Sequence, residues 1–298
     1  MDIVFMGTPD FAATILEGLL ASEHRVLAVF SQPDKPQGRG HKVQMPPVKV
    51  LANRCGIPVF QPASLRCAEA EAQITACNPD LVVVAAYGKI LPASVLKIPR
   101  YGCVNVHGSL LPKYRGAAPI QWAVINGERE TGISIMYMEE GLDSGDLICQ
   151  RTVQIREEDT AKSLYLSLAQ VGKGELLRGL ELISDGGFVP KKQDDGEATF
   201  APLLSKGMAC LDFNMPAQTV LNWIRGLDVW PVAQTEVARV KVKVWQARIA
   251  TGLNLAPGEW FCKKKLVVGC WDFGLELLEV QPENGRRLKG ADFVNRFS

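Results

Sequence analysis

Residues 2–32, DIVFMGTPDFAATILEGLLASEHRVLAVFSQ, decide the architecture. DIVFMG is a short apolar run that stops at Gly7. FAATILEGLLAS follows with apolar residues at helical spacing, and RVLAVFSQ is a second strand-like run. Strand, helix and strand within about thirty residues make a βαβ unit, and such a crossover predicts a parallel sheet. The alternation continues outward. VKVLANRCG and CAEAEAQITACN read as helices, IPVF as a strand, and DLVVVAAYG as a central strand apolar on both faces. CVNVH is another strand and APIQWAVING another helix. TGISIMYM alternates with period two, which puts Ile133, Ile135 and Tyr137 on one face, and DLICQRTVQI pairs with it as a hairpin. TAKSLYLSLAQVGKGELLRGLELIS reads as one long helix.

Near residue 185 the composition changes. DGGFVPKKQDDGEATFAPLL is rich in Gly, Pro and charge and has no periodicity, as a linker would. Beyond it come a helix, PAQTVLNWIRGL, and short strands, VKVKVWQARI, LVVGCW and LELLEVQ. Closely spaced short strands suggest a small barrel of OB type. The expected fold is therefore α/β: a Rossmann-like, doubly wound, mainly parallel sheet over residues 1–187, a linker at 188–205, and a small OB-like β-barrel domain at 206–298. From residue 205 onward there are 13 basic and 9 acidic residues, a net of +4 against +1 for the whole chain. The second domain is thus biased towards anionic partners.

Several function classes are disfavoured. The 8 cysteines are scattered without a CxxC pair, so they read as reduced thiols of a cytosolic protein and not as a disulfide framework or zinc site. The longest membrane candidate, LVVVAAY at 81–87, is far short of the roughly 20 residues a spanning helix needs. MDIVFMGTPDF has no basic n-region or small-residue cleavage site and reads as a strand, not a signal peptide. The first βα turn holds one glycine where a dinucleotide fingerprint needs G-x-G-x-x-G, and no Walker A sequence is present.

The chemistry concentrates in NVHGSLLPKYRGAAP, residues 105–119. In open α/β sheets ligands bind beyond the carboxyl ends of the strands. Asn105 and His107 lie there, two residues apart and on one side of the strand. EEGLDSGD, residues 139–146, follows the next strand, so its carboxylates can reach the same crevice. An amide, an imidazole and a carboxylate suit acyl transfer. The amide and an imidazolium donate to a carbonyl oxygen becoming an oxyanion, and the carboxylate orients the ring. A histidine at a strand end is by itself an ordinary hydrogen-bonded residue, and GLDSGD by itself is a turn. The combination carries the weight. There is no G-x-S-x-G elbow, and Cys103 is a poor nucleophile candidate, so a substrate amine attacks the acyl donor directly.

NVHGSLLPKYRGAAPIQWAVINGE together with GLDSGD resembles the formyltransferases that use 10-formyltetrahydrofolate. The resemblance implies that Asn105, His107 and Asp143 are catalytic and that no metal is needed. It implies that Ser109, Leu110, Leu111 and Pro112, with Tyr87, Gly88, Ile90, Leu91 and Glu140, contact the folate co-substrate. MGTPDFA at 6–12 and QPDKPQGRGHKVQMPPVKVLA at 32–52 are similar to the branch whose acceptor is initiator Met-tRNA. That branch implies a cytoplasmic, monomeric enzyme of translation initiation with an OB-like second domain. The 34–49 loop holds Lys35, Arg39, Lys42 and Lys49 against one acid, Asp34, with glycines at 38 and 40. A basic, flexible loop suits phosphate contacts, and the resemblance assigns Lys35, Arg39 and Lys42 to the tRNA acceptor arm. The chain departs from the family at Leu203, where a lysine is usual, at the residue after Lys206, where an acid is usual, and at Phe213, where tryptophan is usual. A sugar-nucleotide N-formyltransferase shares the core and is the nearest alternative. A glycinamide ribonucleotide formyltransferase would lack the second domain, and a non-catalytic RNA-binding module would not need the Asn–His–Asp set.

Overall fold

The computed structural model describes residues 1–37 and 42–294. The chain forms two compact units. One comprises Met1–Ala117, Thr131–Gln154 and Tyr165–Ala201, and the other Ala118–Glu130, Ile155–Leu164 and Pro202–Ser298.

The first unit is built on a seven-stranded sheet in the order Leu147–Gln154, Glu130–Tyr137, Cys103–His107, Leu81–Ala85, Asp2–Gly7, Arg25–Phe30, Val59–Phe60. The five strands from Cys103–His107 to Val59–Phe60 run parallel, and Glu130–Tyr137 pairs antiparallel with Cys103–His107. The sheet is therefore the mainly parallel, doubly wound sheet expected. Leu81–Ala85 has all five side chains buried, which is why it carries no polar alternation. Val4, Met6, Ala28, Phe30, Val82 and Val84 form a core on one face with Ile74 and Tyr87. The helix Asp10–Leu20 buries Phe11, Ala12, Ile15, Leu16 and Leu19, a single helical stripe, and opens on Asp10, which complements the helix dipole. Gly7 lets that helix begin immediately after the first strand. A Cβ there would stand 2.6 Å from Ala12 Cβ and 3.0 Å from the carbonyl oxygen of Ala85.

The second unit carries an antiparallel sheet in the order Gln234–Val237, Val240–Ala250, Gly274–Pro282, Leu266–Gly269, Trp260–Cys262. Two register shifts, around Gln246, interrupt the pairing of its longest strands. Bulges of this kind raise local twist, and the sheet curls into a half-barrel of the OB-like type. Val220 and Ile224 of the helix Ala217–Gly226 pack with Val242, Val244, Leu275, Leu277 and Phe293 in its core. Phe213 is buried in that core, whereas Leu203 is exposed. Among the described residues no helix is long and apolar enough to cross a membrane.

Gly7→Val should lower stability by about 1–3 kcal/mol through overpacking, seen as an earlier urea midpoint. An unchanged midpoint would mean the strand–helix approach is not as tight as described.

Candidate active site

Strand Cys103–His107 sets the geometry. Its pairing with Leu81–Ala85 and Glu130–Tyr137 places Asn105 opposite Val84 and Met136, and His107 opposite Ser134. His107 is buried, with its Nε2 2.9 Å from the carbonyl oxygen of Tyr114. A carbonyl can only accept, so Nε2 carries a hydrogen. Tyr114 reaches this orientation with a left-handed φ of +63°. The other ring nitrogen, Nδ1, lies 3.7 Å from Asp143 Oδ2. Asn105 Nδ2 lies 3.5 Å from Asp143 Oδ1. The structure thus brings Asn105, His107 and Asp143 together, and both contacts are longer than an ordinary hydrogen bond.

Asp143 also has a left-handed φ, +48°. Its Oδ2 accepts from the backbone N–H of Gly116 at 2.9 Å. Gly116 has φ +124°, and a Cβ there would lie 2.7 Å from the carbonyl oxygen of Ala201, so only glycine serves. Gln193 Nε2 donates to the carbonyl oxygens of Asp143 at 2.9 Å and Gly145 at 2.8 Å. Its Oε1 accepts from Arg115 Nε at 3.1 Å and Nη2 at 2.9 Å.

Cys103 packs in the core, and burial pushes its thiol up to about 12, so it offers no thiolate.

The residues assigned to folate divide into two groups. Ser109 is fully buried, and its hydroxyl donates to the Lys113 carbonyl at 2.6 Å. Its own carbonyl accepts from Ser134 Oγ at 2.6 Å, and Ser134 Oγ in turn accepts from the Leu111 N–H at 3.0 Å and Gln150 Nε2 at 2.8 Å. Leu111 packs on Met136 and Leu147, and Tyr87 and Leu91 belong to the core of the sheet. These four side chains are buried. Leu110 and Pro112 are half-buried, and Gly88, Ile90 and Glu140 are exposed. The carbonyls of Tyr87 and Gly88 both accept from Gln32 Nε2 at 3.1 Å.

In the basic loop, strands Lys35–Gln37 and Lys42–Gln44 pair antiparallel, and Lys35 Nζ donates to Gln32 Oε1 at 3.0 Å. Arg39 lies outside the described residues. Lys49 sits in the helix Pro47–Arg54 and donates to Asp34 Oδ1 and Oδ2 at 2.9 and 2.8 Å and to Gln61 Oε1 at 2.7 Å. It closes the base of the loop, and its charge is matched by Asp34. Lys49, then Gln61, hold the Asp34 carboxyl below the usual carboxylate range. Its folded-state pKa is depressed, so the clasp is complete at neutral pH and is lost only as pH falls through that lowered value.

Sequence reasoning missed Tyr114, Gly116, Ser134 and Gln193. Tyr114 and Gly116 lie inside the quoted motif, but nothing in it signals their backbone orientation. Gln193 lies in a stretch read as linker. Among the described residues no group of three or more His, Cys, Asp or Glu is placed to hold a metal ion.

Residues 1–180 match the family described as formyl transferase, and residues 203–298 match formyl transferase, C-terminal domain. The chain is 46% identical over 297 residues to the methionyl-tRNA formyltransferase of Caldanaerobacter subterraneus subsp. tengcongensis, covering 99% of this chain and 96% of that protein. The chain belongs to the formyltransferase family. Among solved structures, HypX from Aquifex aeolicus in complex with tetrahydrofolic acid superposes with a TM-score of 0.68 at 20% identity, over 99% of this chain and 47% of that longer one. The sugar 3N-formyl transferase WlaRD superposes with a TM-score of 0.70 at 17% identity, over 96% and 99% of the two chains. Both likenesses are in the fold.

Asp34→Asn should speed tryptic cleavage within the 34–49 loop while leaving global unfolding almost unchanged, since a loop held by one half-buried ion pair opens locally without carrying the core with it. A cleavage rate equal to that of the parent would show that the clasp does not restrain the loop.

Proposed function

We propose that this protein transfers the formyl group of 10-formyltetrahydrofolate to the amino group of methionyl-initiator-tRNA, giving N-formylmethionyl-tRNA for translation initiation, and that it works as a cytoplasmic monomer. The observation that carries the chemistry is the pair of long contacts to Asp143, 3.5 Å from Asn105 Nδ2 and 3.7 Å from His107 Nδ1. Donors held this loosely are available to a third oxygen and tighten on it. The choice of acceptor rests on the likeness to the methionyl-tRNA enzyme along 99% of the chain.

The residues fit a formyl donor. Asn105 Nδ2 donates to the formyl oxygen as it gains negative charge, and His107 Nδ1, when the ring carries both protons, supplies a second donor. Asp143 faces both and orients them. The amine of Met-tRNA forms the new C–N bond, the bond from the formyl carbon to the folate nitrogen breaks, and the amine proton passes to that nitrogen near Asp143. Leu110, Pro112, Gly88, Ile90 and Glu140 offer the accessible surface for the co-substrate, over a floor that includes Ser109, Leu111, Tyr87 and Leu91. Residues 1–187 form the catalytic domain, 188–205 the connection, and 206–298 the OB-like tRNA-binding domain. Lys35, Arg39 and Lys42 contact the acceptor arm.

The deciding experiment offers the enzyme charged initiator Met-tRNA and an amino-sugar nucleotide in competition, with 10-formyltetrahydrofolate as donor. Formylation of the tRNA alone is expected. Formylation of the sugar would assign the chain to the other branch.

Asn105→Ala and His107→Ala should each lower turnover by roughly 10²–10³-fold, the usual effect of losing an oxyanion donor, with folate binding little changed. Near-normal turnover in both would remove them from the chemistry. Arg39→Ala with Lys42→Ala should weaken tRNA use, spare folate binding, and flatten the salt dependence of tRNA affinity by roughly one unit of slope per lost phosphate contact. An unaltered salt slope would place the loop away from the RNA backbone.

A further inference from the structure

We infer that Gln193, braced by Arg115, is a positioning residue for the carboxylate of Asp143, so that the segment around it belongs to the catalytic apparatus; this rests on the catalytic reading of Asn105, His107 and Asp143. The side-chain amide of Gln193 has two donor hydrogens and two acceptor sites. Both hydrogens have a carbonyl partner, one from Asp143 at 2.9 Å and one from Gly145 at 2.8 Å. Both acceptor sites are met by Arg115, through Nε at 3.1 Å and Nη2 at 2.9 Å. Gln193 therefore spans the turn that contains Asp143 and ties it to Arg115.

Arg115 is nearly fully buried, and its Nη2 also pairs with Asp195 Oδ1 at 2.8 Å. The next residue, Gly116, donates its N–H to Asp143 Oδ2 at 2.9 Å. The dipeptide Arg115–Gly116 thus acts on Asp143 by two routes. Gly116 holds the side chain directly, and Arg115 holds the backbone through Gln193. Asp143 needs such restraint, because a non-glycine residue at φ +48° is in a sparsely populated conformation. The contacts to Asn105 and His107 are long, so a small rotation of Asp143 would lose them both.

A purely architectural role for Gln193 is the competing explanation, and the surrounding chain argues against it. The segment is already fastened without this side chain. Leu147 and Lys191 exchange backbone hydrogen bonds of 2.8 and 2.9 Å. Phe200–Ala201 pairs in parallel with Arg115–Gly116. Tyr114 N–H donates to Thr199 Oγ1 at 2.9 Å.

The test uses the full-length protein with Gln193→Leu and Gln193→Glu, each made alone and in an Asp143→Asn background. Gln193→Glu keeps an acceptor for Arg115 and removes the two donors, so it remains informative if Gln193→Leu folds poorly. Formyl transfer to Met-tRNA is followed under single-turnover and steady-state conditions. Each single variant should lower kcat by about 10–100-fold, as expected for slight misplacement of a catalytic group, with both KM values and the thermal midpoint close to the parent's. In the Asp143→Asn background the same changes should cause no further loss, because the group they position is already gone. A kcat equal to the parent's in both single variants, or equal fractional losses in both backgrounds, would overturn the inference while leaving the catalytic reading intact. Full activity of Asp143→Asn itself would overturn the catalytic reading and the inference with it.

Discussion

Asp143 is the meeting point of three separate stretches of chain. Asn105 and His107 face it from the end of a sheet strand, and Gly116 donates an N–H to it from the loop that follows. Its own backbone carbonyl is held by Gln193, from the segment that leads out of the sheet unit. Two of the residues involved, Tyr114 and Asp143, are non-glycine residues in the left-handed region. Each costs roughly 1–3 kcal/mol, and such strain persists only where surrounding structure over-determines it. Here the hydrogen bonds to His107, Gly116 and Gln193 supply that determination. The sheet beneath is the rigid base: Leu81–Ala85 and Cys103–His107 lie parallel in a core where Val82, Val84 and Cys103 are buried.

This arrangement separates positioning from donation. His107 uses Nε2 to fix its ring against the Tyr114 carbonyl, which leaves Nδ1 turned towards Asp143. Asp143 uses its firm hydrogen bond on Gly116 and holds Asn105 and His107 at longer range. Serine hydroxyls serve the frame: Ser134 ties Ser109, Leu111 and Gln150 into one network that fixes the 109–112 segment. A hydrogen-bonded frame of this kind keeps the donors pre-aimed, which is where electrostatic stabilisation of a developing oxyanion gains most.

Much of this was legible in the sequence. The βαβ opening and the continuous apolar run at 81–85 fixed the sheet class, because periodicity reports directly which faces are buried. Period-two spacing put Asn105 and His107 on one side of their strand. What could not be read was backbone orientation. No residue type announces that the Tyr114 carbonyl turns back to a histidine, or that the N–H of Gly116 meets a carboxylate. Gln193 sits in a Gly-, Pro- and charge-rich stretch whose composition says linker, while its place in the structure comes from long-range hydrogen bonds that composition does not encode. Lys49 counts as loop charge in sequence, yet it is matched by Asp34 and Gln61. Ser109 falls in a motif assigned to folate, yet its hydroxyl closes a turn.

The most direct measurement is the protonation pattern of the His107 ring by nitrogen-15 NMR in the free protein. The chain has 3 histidines, so histidine-selective labelling gives few signals, and a His107→Gln variant assigns the one of interest. The account requires a hydrogen on Nε2 at neutral pH, whether or not Nδ1 also carries one, because Nε2 faces a carbonyl that can only accept. A ring with Nε2 bare and the hydrogen on Nδ1 would contradict it: the Tyr114 carbonyl would then not be its partner, and the bond said to fix the ring would not exist.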